Sequence, residues 1–404
     1  MKTAGAPLEG WHECVREALA ASGAEVISLH VDAVHRRPGA ETSLGVVAHT
    51  DRGEHYLVVT DAELEPSAEV TVASGNGVRY AMWAHPADPA LPGLAAASTP
   101  EALSELLGEP VRDVDFLAYR PMRRAVLRAH LDGSTRYVKV VRPAAAERNL
   151  AASLALGTAT VPVTDHGSGV LSMPAAHGEP LDELAHAGRL PAAADLVRMV
   201  DRALDAIADS AMTLKPRPSW TDRRADYAAQ AVLVGLDARI VERVLDAVQA
   251  APAPGPVVPT HGDVNAANVW LDLATGEVSC LIDADTVGPG YRVDDHACLV
   301  AHLVASSRMG DGPLPALGAY AWDYAQVAFA RAGNESGYAR AAAVLLSLAA
   351  TTEDTAAARR WMDAADEFAS ASMRGLSPAS PRLLSGARND ERMPVLAGQS
   401  QRKG

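Results

Sequence analysis

Residues 261–270 read HGDVNAANVW, and residues 281–290 read LIDADTVGPG. The first stretch places Asp263 and Asn268 five residues apart, and the second places Asp283 fifteen residues beyond Asn268. Neither a helix nor a strand favours such residues in its core, because a buried polar group needs a partner. The two stretches therefore predict a site that holds a ligand.

The segment between the two stretches predicts a β-hairpin. Residues 269–283 read VWLDLATGEVSCLID, two strand-like runs around an ATGE turn. A hairpin folds back on itself, so we expect it to bring Asp283 beside Asn268. An ordinary polar loop, with Asn and Asp as turn residues, accounts for either stretch alone. It does not account for two polar stretches joined by a hairpin.

A metallohydrolase is a second interpretation, because this region is rich in oxygen and nitrogen ligands. The candidate ligands are His261, Asp263, Asp283, Asp285, Asp294, Asp295 and His296. This interpretation gives no role to Lys139, which lies in the strand-like sequence YVKV earlier in the chain.

Phosphoryl transfer from ATP is the interpretation that uses all of these features. It needs a base for a hydroxyl group, oxygen ligands for Mg²⁺ and a cation on the phosphates. Asp263 and Asn268 have the same sequence spacing as the Asp and Asn of the kinase catalytic loop, H-R-D-x-x-x-x-N. Asp283 takes the place of the DFG aspartate, and Lys139 lies on a strand of a preceding β-rich part. Order, spacing and context favour a kinase.

Two N-terminal stretches, residues 31–59 and 114–141, resemble each other. Each has a strand-like run, an Arg-Pro turn, an alternating strand, an Asp/Gly turn and a β-branched strand. Aligned on their tyrosines, they place Val58 opposite Lys139. We interpret them as a duplicated hairpin unit in which only the second copy carries a lysine, although two unrelated meanders would also look alike.

The pattern changes after residue 180. Apolar residues at three- and four-residue spacing predict helices, among them 314–332, 336–351 and 354–372. From Ser377 onward the chain lacks periodicity, which predicts a mobile tail. The expected plan is β-rich first and helical second.

Composition limits the class of protein. The 404 residues suffice for two or three domains, and the net charge of −14 argues against nucleic acid or an anionic membrane as a partner. The charge suits a cationic ligand, but solubility alone would account for it. Three cysteines without a CxxC pair predict neither a disulfide framework nor a zinc site. The N-terminus has no apolar signal region, and the longest apolar window is about half a membrane span. We expect a cytoplasmic protein.

Five pieces of the chain carry a family resemblance: RYVKVVRP, GEPLDEL, HGDVNAANV, LIDADTVGPG and DDHACLVAHL. With them the chain resembles the aminoglycoside phosphotransferase and choline-kinase-like family, which has the protein-kinase-like fold. The duplicated N-terminal segment resembles the cap of actinobacterial maltokinases and glucosamine kinases. The resemblance implies an α+β, bilobal, protein-kinase-like fold with an additional N-terminal β-rich cap domain and a mainly helical C-terminal lobe.

The implied domains are four. They are a β-rich cap at 1–110, a nucleotide-binding N-lobe at 111–180, a helical C-lobe with the catalytic loop and acceptor site at 181–376, and a flexible tail at 377–404.

The resemblance also implies roles for the central residues. Asp263 is expected to be the catalytic base, and Lys139 to hold the α and β phosphates of ATP. Asn268 and Asp283 are the expected Mg²⁺ ligands, with Asp285 assisting at the metal or the substrate.

Several supporting roles follow from the same resemblance. His261 is expected to brace the loop by hydrogen bonds. The sequence YRPMRRAV stands where many kinases have a glycine-rich loop, and its Arg124 is expected at the phosphates, unless the segment is simply a solvated basic hairpin. Glu147 is the nearest helical carboxylate for pairing with Lys139. The connection between the lobes offers backbone groups of Ser172, Met173 and Ala175 to the adenine, and Met173 fits the core equally well.

The acceptor site is expected among the C-lobe helices. Glu353, Asp354 and Trp361 combine carboxylates with an indole, a common way to hold a sugar or amino sugar. Core packing explains Trp361 at least as well, and the segment Trp322–Tyr324 is a second candidate.

The expected function is ATP- and Mg²⁺-dependent phosphorylation of a hydroxyl group on a small sugar or amino sugar, such as glucosamine. The alternatives are an aminoglycoside antibiotic phosphotransferase and a catalytically dead pseudokinase that serves as a binding module. The pseudokinase is disfavoured, because the lysine, the base and both metal ligands are present.

Overall fold

The computed structural model describes residues 10–35, 41–75, 77–310, 314–330 and 334–375. The expected tail, 377–404, lies outside these ranges. None of the helices within them has the length and apolarity that crossing a membrane demands.

The first part of the chain is a five-stranded antiparallel sheet with one helix against it. Its elements are α1 (Trp11–Ala21), β1 (Val26–His35), β2 (Ser43–Thr50), β3 (Gly53–Thr60), β4 (Thr71–Gly75) and β5 (Val78–Ala84). The strand order is β1-β2-β3-β5-β4. Leu57 and Val59 of β3 point to the helix side and share a core with Val15 of α1, whereas Val58 points to the other face.

The second part is a sheet of the same size. Its elements are α2 (Leu94–Ala97), α3 (Pro100–Leu107), β6 (Val111–Arg120), β7 (Arg124–Leu131), β8 (Thr135–Val141), α4 (Pro143–Leu156), β9 (Thr164–Asp165) and β10 (Val170–Pro174). The strand order is β6-β7-β8-β10-β9, the same as in the first sheet. This shared order supports the predicted duplication.

The helices α2 and α3 bear on the expected boundary between the cap and the N-lobe. Leu94 of α2 and Leu103 of α3 pack in one core with Leu127 of β7 and Val138 of β8. The alternating burial along β7 comes from this core, since every second side chain points into it. We therefore propose that the cap ends before Leu91 rather than at residue 110.

The remainder is mainly helical, as predicted. Its elements are β11 (Glu179–Pro180), α5 (Leu181–His186), α6 (Ala193–Asp205), α7 (Arg224–Leu233), α8 (Ala238–Ala250), β12 (Val257–Thr260), β13 (Val269–Asp272), β14 (Glu277–Leu281), β15 (Gly288–Tyr291), α9 (Arg292–Ser307), α10 (Pro315–Phe329), α11 (Asn334–Thr351) and α12 (Thr355–Met373). These helices share one large core with α9 at its centre, and most residues of α9 are buried.

Two short sheets position the polar stretches. The strands β13 and β14 form the predicted hairpin, and Ile282 N donates to Asn268 O at 3.0 Å just beyond its open end. Asp283 therefore follows directly after a backbone bond to Asn268. The strand β12 pairs with β15 and ends at Thr260, immediately before the first polar stretch. Both stretches thus begin at strand ends, where side chains are free to point outward.

Candidate active site

The loop that follows β12 is held by a buried carboxylate. Asp295, at the first turn of α9, accepts hydrogen bonds from His261 N at 3.2 Å and from Gly262 N at 2.7 Å. Burial raises the pKa of Asp295 to about 7, although both backbone donors favour its ionised form. Gly262 has φ 79°, and a Cβ there would lie 2.9 Å from Thr286 O. The start of the loop is therefore fixed by α9 and fits only glycine at residue 262.

The His261 ring has a structural role, which confirms the expectation that it braces the loop. The ring is buried, and its Nε2 lies 3.0 Å from Ile282 O, so Nε2 carries the proton and donates it. Burial lowers the pKa of His261, which keeps the ring neutral. The contact joins the first polar stretch to the end of the β13–β14 hairpin.

Asp263 and Asn268 lie together inside this loop. The Asn268 side-chain amide donates to Asp263 O at 2.9 Å, and Asn265 Oδ1 accepts from Ala267 N at 3.0 Å and from Asn268 N at 3.2 Å. No hydrogen bond from another part of the described chain engages the amide oxygen of Asn268, so this atom is available to a ligand. Burial, and then the charge of Asp283, raise the pKa of Asp263. A raised pKa brings a carboxylate nearer to the range that suits a general base.

Lys139 joins the second sheet to the helical part. Its Nζ donates to Asp283 Oδ1 at 2.8 Å and to Asp285 Oδ1 at 2.6 Å, and its side chain is 11% exposed. Arg124, at the start of β7, adds a second cation, with Nη1 3.3 Å from Asp285 Oδ2. Two cations and two carboxylates thus meet where the sheet faces the hairpin.

Asp283 has an unusual backbone as well as a shifted pKa. Its φ of 61° and ψ of 60° lie in the left-handed region, which non-glycine residues adopt rarely and mainly at functional sites. Burial alone would raise the pKa of Asp283, but the Lys139 ammonium beside it holds that pKa below its ordinary value. The carboxylate is therefore ionised at neutral pH.

These contacts replace one sequence-based expectation. Glu147 lies exposed on α4, and the carboxylates that pair with Lys139 are Asp283 and Asp285. The expectation failed because a helix carboxylate was sought near the lysine in sequence, whereas its partners lie 144 and 146 residues away.

Comparison with protein families covers the second sheet and most of the helical part. The sequence profile of the phosphotransferase enzyme family (APH) matches residues 85–330, more than half of the chain. The chain belongs to this family. Membership confirms the predicted resemblance and the α+β, protein-kinase-like fold with β sheets first and helices after them. The closer likeness to maltokinases and glucosamine kinases stays a prediction.

Solved structures give further similarities. One is the apo form of a thermostable mutant of aminoglycoside phosphotransferase APH(4)-Ia, at 16% identity and a TM-score of 0.48, covering 68% of this chain and 99% of that one. A second is spectinomycin phosphotransferase APH(9)-Ia in complex with ADP and spectinomycin, at 12% identity and 0.41, covering 69% and 99%. A third is macrolide 2'-phosphotransferase MphH from Brachybacterium faecium, at 18% and 0.38, covering 69% and 98%. No curated protein matches the chain in sequence.

In this phosphotransferase, the expected adenine contacts are partly used by the protein itself. Ser172 is paired on both sides, to β8 and to β9, and its hydroxyl lies 2.8 Å from His166 Nε2. Ala175 N donates to Thr135 O at 3.3 Å. Met173 is partly exposed on β10, past the end of β9. A role of these three residues toward a nucleotide base stays a prediction.

Two of the expected acceptor residues, Asp354 and Trp361, are used by the protein itself. Asp354 is the N-cap of α12 and accepts from Ala356 N and Ala357 N, each at 2.9 Å. The Trp361 ring is buried, and its Nε1 donates to Ala305 O at 3.0 Å. Glu353 is exposed beside Asp354. A role of Glu353, Asp354 and Trp361 toward an acceptor stays a prediction.

The second acceptor candidate is also part of the core. The Trp322 ring stacks on Tyr338 with centroids 5.3 Å apart, and Tyr324 OH lies 2.8 Å from His296 Nδ1. The other nitrogen of His296 contacts Asp201 at 2.9 Å. The phosphotransferase family match reported above overturns the metallohydrolase interpretation, and two of its candidate ligands, Asp295 and His296, already have partners in the protein.

A different cleft lies beside Gly262, and the sequence reasoning missed its residues. Its lining includes Arg217, Trp220, Tyr291, Asp294 and Val344. They come from the loop before α7, from the start of α9 and from α11. Trp220 follows a Pro-Ser pair in a helix-free segment, and an aromatic residue in such a loop was the signal that could have revealed it.

One lining residue of the cleft, Asp294, belongs to a charged pair. Arg340 donates to Asp294, and its guanidinium carbon lies 5.3 Å from the centre of the Tyr291 ring. Thr221 Oγ1 donates to Asp294 Oδ1 at 3.4 Å. Trp220 also contacts the Asp263 carboxylate, where a hydrogen bond from it opposes the effect of burial on the pKa. The cleft and the loop carboxylate are thus neighbours.

Proposed function

We propose that this phosphotransferase transfers the γ-phosphoryl group of ATP to a hydroxyl group of a small sugar or amino sugar. The observation that carries the proposal is the meeting of Lys139, Asp283 and Asp285 with the loop that holds Asp263 and Asn268. Family membership supports phosphotransfer, and the arrangement of these five residues supports ATP as the donor.

The donor atoms near the loop suit Mg²⁺. They are carboxylate oxygens of Asp283 and Asp285 and the amide oxygen of Asn268, which are hard ligands of the kind Mg²⁺ prefers. Asp283 is ionised, as a ligand must be. Bound Mg²⁺ supplies charge stabilisation on the phosphates. In this proposal Lys139 and Arg124 bind the phosphate oxygens, and their present contacts with carboxylates keep both cations at that position.

Asp263 acts as the base in the proposed reaction. Its carboxylate accepts the proton of the acceptor hydroxyl, the hydroxyl oxygen forms a bond to the γ-phosphorus, and the bond from that phosphorus to the β–γ bridging oxygen breaks. ADP leaves with the electron pair of that bond. The Asn268 amide, by holding Asp263 O, keeps the carboxylate in place while the proton moves.

The cleft next to Asp263 supports an amino sugar as the acceptor. Trp220 offers an aromatic face for a sugar ring beside the Asp263 carboxylate, whereas the Tyr291 ring and Asp294 are already engaged by Arg340. A cationic group also gains from the net charge of −14, whereas a neutral sugar does not. Aminoglycosides carry the same chemistry on larger rings and are the alternative acceptors.

The test is a screen for acceptor-dependent ADP release. It includes glucosamine, glucose and several aminoglycosides, each at low and at high salt. We expect a higher kcat/KM for glucosamine than for glucose, with a difference that shrinks as salt screens the charges. Equal values for the two, insensitive to salt, would assign the site to neutral sugars. A preference for aminoglycosides would assign it to the alternative.

Asp263→Asn is the control for chemistry in the same screen. Turnover should fall by about 10²-fold or more, because general-base catalysis contributes at least that much, while the Kd for nucleotide stays nearly unchanged. Turnover within about tenfold of the unmodified enzyme would remove Asp263 from the proposed role. Silence of the unmodified enzyme on every acceptor, with intact nucleotide binding, would favour the pseudokinase.

A further inference from the structure

Three side chains of different chemistry converge on one side of the catalytic loop. Asp263, Cys298 and His302 each offer a ligand atom, and these atoms lie within 4.8 Å of one another. Cys298 Sγ is 3.6 Å from Asp263 Oδ1. Cys298 and His302 lie four residues apart on α9, a spacing that puts both on one face of a helix.

We propose that Asp263, Cys298 and His302 form an inhibitory Zn²⁺ site. Zinc accepts thiolate, imidazole and carboxylate ligands in a tetrahedron with bonds of about 2.0–2.3 Å, which places ligand atoms roughly 3.3–3.7 Å apart. Cys298 Sγ now donates a hydrogen bond to Asp263 Oδ1 at 3.6 Å, and two ligands of one zinc ion would have the same separation. An approach of His302 by about 1 Å at most completes the set.

His302 is prepared for a metal rather than for a structural role. Among the residues that the structure describes, no hydrogen-bond or ion-pair partner faces its ring, in contrast to His261 and His296. No described side chain or backbone group therefore competes with a metal for the ring nitrogens. A neutral imidazole is the form that binds metals.

The ligand set separates this site from the proposed Mg²⁺ ligands. A thiolate and an imidazole favour zinc, whereas Asn268, Asp283 and Asp285 offer only oxygen. On coordination, the S–H bond of Cys298 is replaced by an S–Zn bond and the proton leaves to solvent. Asp263 and His302 keep part of their surface exposed, which gives the ion a path to the buried sulfur.

The sequence predicted no zinc site, because its three cysteines form no pair. That argument does not apply to the proposed site, because the site needs only one cysteine ligand. Its second ligand is one helical turn further on, and its third lies 35 residues earlier in the chain. Helix geometry and the fold of the loop bring the three together.

Zinc at this position would block the base. The Asp263 lone pairs that accept the hydroxyl proton would be bound to the metal, so zinc should compete with the acceptor and not with nucleotide. This consequence rests on the proposed function, whereas the metal site itself does not.

Cobalt titration of the reduced, full-length protein tests the site without turnover, because Co²⁺ reports a thiolate ligand by an intense near-ultraviolet band. We expect this band in the unmodified protein and its loss in Cys298→Ser. His302→Ala should weaken Co²⁺ binding by at least about tenfold, and His186→Ala, which changes an exposed histidine on α5, should not. No band, or the same band in Cys298→Ser, would overturn the proposal and in the second case assign the metal to Cys14 or Cys280.

Inhibition by Zn²⁺ at fixed Mg²⁺ and ATP tests the consequence. The His302→Ala enzyme should keep its basal activity within about twofold, and its zinc inhibition constant should rise at least about tenfold. Equal zinc sensitivity of the two enzymes would overturn the inhibitory role. A protein that shows the cobalt band but phosphorylates no acceptor would refute the proposed function and retain the metal site.

Discussion

The first and second sheets have the same strand order and differ at the centre of that order. Val58 lies on β3 between β2 and β5, and Lys139 lies on β8 between β7 and β10. Their neighbours in each sheet occupy equivalent places. The apolar side chain and the cation are therefore two residues at one topological position.

The two sheets also differ in what covers that position. The face with Lys139 meets carboxylates of the helical part. The face with Val58 is covered by the second sheet, since Trp83 Nε1 donates to Tyr119 OH at 3.3 Å and the His85 ring lies 4.9 Å from the Phe116 ring. Val58 is fully buried. A shared topology thus supplies only a platform, and the facing surface decides whether that platform meets a ligand or another part of the protein.

Replacing the lysine should have the largest effect. Lys139→Met removes the cation and leaves Asp283 and Asp285 without it, so we expect kcat/KM to fall by about 10²–10³-fold. The matched control is Val58→Ala, which should lower the free energy of unfolding by roughly 1.5 kcal/mol and leave activity within about twofold. Steady-state kinetics and thermal unfolding of both variants test this. Comparable losses of activity in the two would contradict a difference in role.

Placing a lysine in the first sheet should have the next largest effect. Val58→Lys places a charge at a fully buried position, so the free energy of unfolding should fall by on the order of 3 kcal/mol. It should bind no additional nucleotide, because strand position alone is not sufficient. Calorimetric titration with ATP and Mg²⁺ measures the number of sites. A second nucleotide site would contradict the conclusion that the facing surface, and not the strand position alone, decides ligand binding.

Removing a hydrogen bond between the two sheets should have the smallest effect on stability and activity. Trp83→Phe keeps an aromatic ring and removes the hydrogen bond to Tyr119, so we expect a loss of about 1 kcal/mol in the free energy of unfolding. Turnover should not change, because the contact lies on the face of the first sheet and not at Lys139. Thermal unfolding and kinetics on one preparation test both statements. If turnover falls by more than the loss of folded protein explains, the cap influences the active site.

Local patterns made the central part of the fold and site predictable. Strand alternation and turn residues indicated both hairpin units. The polar stretches marked Asp263, Asn268 and Asp283, because packing alone does not require so many polar residues at neighbouring strand ends. The pairing of Lys139 with Asp283 depends on two elements that are far apart in sequence. The order of the motifs predicted that Lys139 belongs to the site, but it did not predict which carboxylates pair with the lysine.

The cleft beside Gly262 was not predictable from the same patterns. Trp361 and Asp354 looked suitable because a carboxylate and an indole lie near each other in sequence, yet one packs in the core and the other caps a helix. Trp220 and Val344 come from separate elements that meet only after the helices have packed. Local composition contains no information about such a meeting.

The Lys139 contacts have a consequence for the order in which ligands bind. Its ammonium now takes two carboxylate oxygens as counterions, and in the proposed function phosphate oxygens, which are also anionic, take their place. When phosphate takes their place, Asp283 and Asp285 lose their counterion just where a divalent cation can replace it. Nucleotide and metal then raise each other's affinity, and by linkage the gain is equal in both directions. Lys139 would exchange one set of anionic partners for another, so the net charge around it would stay nearly constant. Its side chain is only 11% exposed, and an unpaired ammonium there would be poorly solvated.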